Sequence, residues 1–312
     1  MSYQKSDVHV SQPLSNFAVR YQQDDKNFIA NKVVPQMPVM KEADKYFTYD
    51  RGSWRLSDDI RTAGTQSNRS TVAQLSTAAY LIEEYALHDV VPYRVIEEAD
   101  APLQPQQDTV ADLMEQLMVS KESRAAVEMF ATSAVQNYTS LAAASQWDYT
   151  STTTPIDDVD TGNFSIQQEV GRMPNQATIG NEVWKVLKNH DDILDRIKYS
   201  QKGILTEDLV ASVLDIDRLL IGRSLYMSTG EGVSSENVTY LWGKNFMLQY
   251  VETAPRAKSI THAKQFTKRG GVAKVKSFED EKAGGMYTEV STFYDFRIVS
   301  NLCGYTIFGC VG

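Results

Sequence analysis

Between Asp108 and Gln136 the chain has neither glycine nor proline, and strong helix formers dominate. Asp108 can cap the start, so a helix is predicted over about 108–136. At about 1.5 Å per residue it would be roughly 40 Å long, enough to act as the spine of the molecule. Val110, Leu113, Met114 and Leu117 follow the i, i+3, i+4, i+7 rule and give one apolar stripe. Lys121, Glu122, Arg124 and Glu128 blur that stripe further along, where the helix is expected to be exposed or touched by another subunit.

The segments around this spine differ sharply from it. Residues 1–44 are polar, with Pro13, Pro35 and Pro38 and only a short apolar patch at Phe28, Ile29, Val33 and Val34. Such a segment cannot bury enough surface to fold alone, so either a disordered tail or an arm that orders only against neighbouring subunits is expected. From Lys45 an aromatic strand candidate, KYFTYDRGSWRL, and the extended run STVAQLSTAAYLIEEYALHDVV flank a charged, turn-rich tip. This pattern predicts a hairpin over 45–88; an ordinary surface hairpin is the simpler reading, a long one projecting from a body the other.

Residues 145–162, with Pro155 and Gly162, read as a polar connector and the best boundary between two lobes. Beyond it, NEVWKVLKNHDDILDRIK reads as one or two helices, and Thr206 can cap a short one. DRLLIGRSLYMST, VTYLWGKNFMLQYV and MYTEVSTFYDFRIVSNLCGYTIFGCV have the β-branched and aromatic content of strands. The fold class is therefore α+β, and no solenoid or propeller period is visible.

The 312 residues are 42% hydrophobic, enough for a sizeable core, and at about 150 residues per domain the length fits two lobes or one elaborate α+β fold with protruding arms equally well. The formal charge of −9 argues against tight sequence-independent binding of nucleic acid over the whole surface, and suits a soluble, self-repelling particle. The N-terminal residues lack a basic run followed by an apolar one, and no apolar run of about 18 residues occurs, so a cytosolic protein is expected. Cys303 and Cys310, seven apart, are read as reduced core fillers pointing to opposite faces of one sheet. Without a secretory route the sequons at Asn68, Asn137, Asn163 and Asn237 carry no meaning.

Chemistry is sparse. His9, His88, His190 and His262 have no mutual ligand spacing, and no phosphate-cradling loop or nucleophile elbow occurs, so no cofactor or metal is expected. Asp191, Asp192 and Asp195 form the densest carboxylate group; a solvated helix face is the simpler reading, a metal-dependent hydrolase the other. Asp157, Asp158 and Asp160 lack calcium-loop spacing. Arg256, Lys258, Lys264, Lys268, Arg269, Lys274 and Lys276 form a run with no acid among them, and Gly270-Gly271 suggests a loop. Contact with another subunit, or a plain solvated loop, is favoured there over DNA, because Phe266 is the only aromatic available to stack on a base.

FIANKVVPQMPVMKEADKYFTYDRG, Phe28 to Gly52, followed by STAAYLIEEYALHDVVPYRVIEEADAP, Ser76 to Pro102, resembles the major capsid proteins of tailed bacteriophages. The likeness extends more loosely to VWKVLKNHDDILDRIKYSQKGILT, LLIGRSLYMST and YLWGKNFMLQYV. One departure lies in RTAGT, Arg61 to Thr65, where a proline is expected.

The resemblance implies the Johnson fold and a division of the chain. An N-terminal arm would span 1–44, an extended loop hairpin 45–88, a peripheral domain with the spine helix 89–160 and an axial domain 161–285. Strands over 286–312 would return to the peripheral domain. It also implies a non-enzymatic subunit of an icosahedral virion shell, built of hexamers and pentamers and assembled in the host bacterial cytoplasm.

Expected partners are other copies of the chain, scaffolding, portal and decoration proteins, and packaged DNA through weak contact. Because the arm starts directly, a separate scaffold or none is expected. Asp50, Arg51, Asp58, Asp59, Arg61 and Arg69 are the candidates for contact between subunits at the hairpin. An encapsulin-like bacterial compartment of the same fold is the alternative.

Overall fold

A computed structural model describes residues 26–49, 56, 59–61, 63–67, 75–98, 104–150, 152–197, 205–230, 237–254, 256, 259–270 and 273–312. The longest strand, β13 (Gly285–Ile298), organises the first of two five-stranded sheets. Along it Thr288, Val290, Thr292, Tyr294 and Phe296 are buried, while Tyr287, Glu289, Phe293, Asp295 and Arg297 are half-exposed, the period of two that a strand imposes. One edge pairs antiparallel with β4 (Glu83–Pro92), from Gly285 opposite Pro92 to Tyr294 opposite Glu83. The other edge is shared. Its first half pairs with β12 (Lys274–Asp280) and its second with β11 (Ala263–Lys268), to which β1 (Gln36–Val39) adds in parallel.

The long helix, α3 (Pro105–Met129), lies across the buried face of this sheet and packs Val110, Leu113, Met114, Leu117 and Met118 against Ala273, Val275 and Val290. It is preceded by two short helices, α1 (Ala30–Val33) and α2 (Tyr93–Glu97). The apolar stripe is where the sequence places it, but the ends differ. Pro105 occupies the first turn, where its missing N–H costs nothing, and Asp108 lies within that turn instead of capping it. The helix stops at Met129 with no breaker in the sequence, because the chain turns through Thr132–Ala134 into β5 (Asn137–Ser140), a strand of the other sheet.

That second sheet has the order β5, β14 (Gly304–Phe308), β10 (Phe246–Gln249), β6 (Gln176–Gly180), β7 (Arg218–Gly222). Ala177, Ile179, Ile221, Phe246, Leu248 and Ile307 share one core cluster with residues of helices α4 (Pro155–Val170), α5 (Asn181–Leu187), α6 (Asp191–Ile197) and α7 (Glu207–Val213). Two strand candidates each split in two. β8 (Leu225–Met227) and β9 (Val238–Tyr240) pair as a separate small sheet, with β9 parted from β10 by a turn at Trp242-Gly243.

Three expectations need correction here. The connector over 145–162 is not one: Pro155 opens α4, Trp147 is buried with its indole donating to Asp158 at 2.8 Å, and Gly162 lies inside the helix. A Cβ on Gly162 would meet Leu248 Cδ1 at 2.7 Å, so glycine here permits close helix-on-sheet packing and does not mark a boundary. The closing segment divides, β13 going to the first sheet and β14 to the second. Cys303 and Cys310 are both free and buried, but one sits in a turn and the other follows β14, so the face-alternation argument does not apply to them.

Between the sheets lies a third cluster, to which Ala125, Ala126 and Met129 of α3, Trp242, Met247 and Tyr294 all contribute. Ile29, Ala30, Val33 and Val34 are buried in it as well. The last part of the 1–44 segment is thus core, because its short apolar patch fills the junction of the two lobes.

Close backbone approach at this junction carries a first prediction. A Cβ on Gly180 would stand 1.7 Å from the Gly243 carbonyl oxygen, a backbone atom that cannot swing aside. Gly180→Ala should cost about 3 kcal/mol by overpacking. Urea unfolding of the unassembled chain should show a lower midpoint at unchanged slope.

Candidate functional site

The projecting hairpin is built from β2 (Ala43–Tyr49) and β3 (Leu75–Leu81), paired antiparallel from Ala43 opposite Leu81 to Tyr49 opposite Leu75. Two strands alone are marginal in water, so the base has to be held by the body. Tyr80 stacks on Phe266 at 4.2 Å between ring centroids, Tyr46 flanks the same ring at 5.4 Å, and Ile82 joins them. Around this apolar anchor the Tyr46 hydroxyl donates to the Ile298 carbonyl at 3.2 Å and the Leu81 N–H to Asp295 at 3.0 Å. Lys268 pairs with Glu42.

Of the predicted contact residues, Asp50, Arg51, Asp58 and Arg69 lie outside the described residues. Asp59 and Arg61 are exposed, and the Arg61 Nε donates to the Thr65 carbonyl at 2.8 Å across a turn in which Gly64 has φ 85°. Glycine supplies the left-handed backbone there without the proline expected from the resemblance. Beside these charges, Leu56 is fully exposed and Ile60 is 79% exposed. Charge patterning marks the acidic and basic residues in the sequence, and no local pattern there marks the two apolar ones.

The basic run from Arg256 to Lys276 is mostly absorbed by the fold. Lys264 is buried, with Nζ donating to the carbonyls of Arg256 at 2.8 Å and Ser259 at 3.2 Å, and burial pushes its pKa down. Lys276 pairs with Glu289 at 2.8 Å, and the ammonium groups of Lys274 and Lys268 lie 4.9 and 5.6 Å from the centre of the Phe293 ring. Arg256 and Arg269 are exposed, Arg269 in the turn that joins β11 to β12, and Lys258 lies outside the described residues. A run without acids in sequence has found its acids on β13 and next to β2, which a linear reading cannot see.

Asp191, Asp192 and Asp195 lie on α6, and among the described residues no group of three or more histidine, cysteine or acidic side chains could hold a metal ion. Beside them, buried His190 accepts the Asp192 N–H at Nδ1 over 3.2 Å. Its Nε2 therefore carries the proton and faces Thr153 Oγ1 at 3.1 Å, which in turn donates to the Tyr149 carbonyl. That polarity is opposite to what activating the Thr153 hydroxyl would require. The arrangement starts α6. Among the described residues no helix is long and apolar enough to cross a membrane.

A second exposed apolar surface was not anticipated. Leu225, Tyr226, Met227 and Val238 of the small sheet and Val127 of α3 all face solvent. Between that sheet and the acidic flank of the spine, Asp112 and Glu115, runs a groove of about 710 Å³.

No family model matches the chain. It is 28% identical over 245 residues to the major capsid protein of Burkholderia phage BcepMu, which covers 76% of this chain and 75% of that protein. The structure of a phage-related protein from Bordetella bronchiseptica is similar with a TM-score of 0.76 and 20% identity, over 97% of this chain and 98% of that one. The capsid of cyanophage P-SCSP1u gives 0.57 and 10%, over 88% and 85%. An encapsulin from Synechococcus elongatus gives 0.52 and 9%, over 92% and 88%.

A spine helix on a long-stranded sheet, a clamped projecting hairpin and a second mixed sheet define the α+β Johnson fold of tailed-phage capsid proteins. The chain is a homologue of a phage major capsid protein and has its structural role in a shell.

Proposed function

We propose that this chain assembles with copies of itself, as hexamers and pentamers, into the icosahedral head that encloses the double-stranded DNA of a tailed phage. The observation that carries this is the hairpin: its base is fixed by an aromatic anchor, while the side chains of Leu56 and Ile60 are exposed. In the assembled shell that tip reaches an adjacent subunit, and the exposed apolar surface of α3 and the small sheet is the receiving side.

The arm and the hairpin of β2 and β3 link neighbours, the spine helix with the β13 sheet forms the periphery, and the second sheet with α4–α7 meets around the capsomer centre. Assembly takes place in the bacterial cytoplasm, with scaffolding, portal and decoration proteins as further partners. DNA is met weakly, since the acidic balance and the internal pairing of Lys268 and Lys276 leave little free positive charge.

A compartment shell is the second reading, supported by the likeness to the Synechococcus encapsulin, which rests on fold alone. Negative-stain microscopy of the chain expressed by itself tests the shell assignment. Closed shells, tubes or capsomers are expected, and a stable monomer at high concentration rejects it. A peroxidase or ferritin-like gene beside this one, in place of a portal and terminase, decides for the compartment.

A further inference from the structure

Glu122 is fully buried in the middle of α3 and touches both other parts of the molecule. Its Oε1 accepts the N–H of Ala30, the first residue of the short helix α1, at 2.6 Å. Its Oε2 accepts the indole N–H of Trp242, from the turn that leads into β10, at 2.7 Å. A buried carboxylate is costly unless its lone pairs are filled, and here each oxygen has a donor from a different element.

The groups around it are few. From α3 come Lys121, buried with Nζ donating to Asn31 at 2.5 Å, and Arg124, which bonds the Tyr294 hydroxyl at 2.8 Å. β13 contributes Tyr294, whose ring lies 4.9 Å from the Lys121 ammonium, and β4 contributes Tyr85 beneath the Arg124 guanidinium. α1 itself carries only the exposed Lys32. At the far end of that turn Gln249 donates to the Val33 carbonyl and meets His262, which burial keeps neutral by pushing its pKa down to about 4.

We propose that Glu122 is a proton-operated clasp between the Ile29–Val34 turn and the spine helix. As a carboxylate it holds Ala30 and Trp242 together. As a carboxylic acid it carries a proton on one oxygen, which would then face a donor, so it gives up one of the two partners and the turn is free to re-seat. In a shell whose copies must leave the body in slightly different directions, this places an adjustable joint where the arm begins.

The clasp is set to work near neutrality. Burial pushes the Glu122 pKa up to about 7, against the Ala30, Trp242 and Ile29 donors and the Lys121 charge, all of which pull it down; burial pushes Lys121 down to about 8. A carboxyl raised above its ordinary value of 4.5 stabilises the folded state most below 4.5, and that contribution is lost as pH rises through about 7. Acidification therefore loosens the turn locally without weakening the body through this group.

Hydrogen exchange of the full-length protein, read as protection of the peptide over 28–34 relative to one over β10, cancels the intrinsic pH dependence of exchange. Relative protection should fall severalfold between about pH 8 and about pH 6. In Glu122→Gln, whose amide offers one acceptor, it should be low and flat. A flat profile in the wild type, or the same fall in Glu122→Gln, overturns the proposal. Should that variant not fold, Trp242→Phe leaves Glu122 Oε2 free to carry the proton while Oε1 keeps Ala30, so relative protection should stay level between about pH 8 and about pH 6; a fall as large as the wild type's overturns the proposal equally.

Discussion

Trp242→Ala is expected to remove most of the stability of the unassembled chain. The indole is completely buried, stands edge-on to Phe130 at 5.9 Å between ring centres, and packs in one cluster with Met247, Ala126 and Ile29. Truncating a buried tryptophan costs about 3–5 kcal/mol in lost contacts and cavity. The change also leaves one oxygen of Glu122 without its donor, an unsatisfied buried group worth about 1–3 kcal/mol more. Set against total stabilities of about 5–15 kcal/mol, a combined loss of about 4–8 kcal/mol takes most of the stability of a chain in the lower half of that range. Trp242→Phe keeps the aromatic contact and loses only the N–H, so it should cost about 1–3 kcal/mol. Urea unfolding of wild type and both variants checks the order, and equal losses for the two would show that packing contributes nothing at this position.

Trp242 also marks where the sequence stops being readable. The spine helix was legible because Val110, Leu113, Met114 and Leu117 repeat with helical period and face a single partner, the β12–β13 sheet. The hairpin limbs were legible because aromatic and β-branched residues flank a polar tip. The second half of the spine was not: Lys121 and Glu122 read as solvated charges, yet both are buried, because α1 and Trp242 close over them from 90 and 120 residues away. No local pattern encodes a partner at that separation.

Pro155 and Gly162 failed for a related reason. Each is a breaker by local propensity, but one occupies the first turn of α4 and the other makes room for Leu248 and Tyr305. The basic run looked free because its counter-charges, Glu42 and Glu289, lie on other strands. For the surfaces proposed to meet other subunits, charge was visible in sequence, whereas the exposure of Leu56, Ile60 and Met227 could be known only once the body was built.

That exposure sets the largest effect expected on assembly. Leu56→Asp together with Ile60→Asp should abolish closed shells while leaving the fold intact. Neither side chain is buried in the subunit, so thermal unfolding of the variant should stay within about 0.5 kcal/mol of wild type. In a tip-to-neighbour contact each apolar side chain would bury surface worth about 1.5–3 kcal/mol, and the introduced carboxylates would have to be desolvated instead. Because every subunit repeats the loss, a shell of many copies amplifies a modest change per contact into failure to close. Exchanging the charges, Asp59→Arg with Arg61→Asp, is the companion experiment, and it should be milder: exposed ion pairs contribute about 0–1 kcal/mol, and Arg61 spends its Nε on the Thr65 carbonyl within its own turn. Electron microscopy and sedimentation of the two variants separate the contributions. Capsomers from the apolar double variant alongside shells from the charge exchange place the contact on Leu56 and Ile60. Shells from the apolar variant remove the tip from the interface altogether.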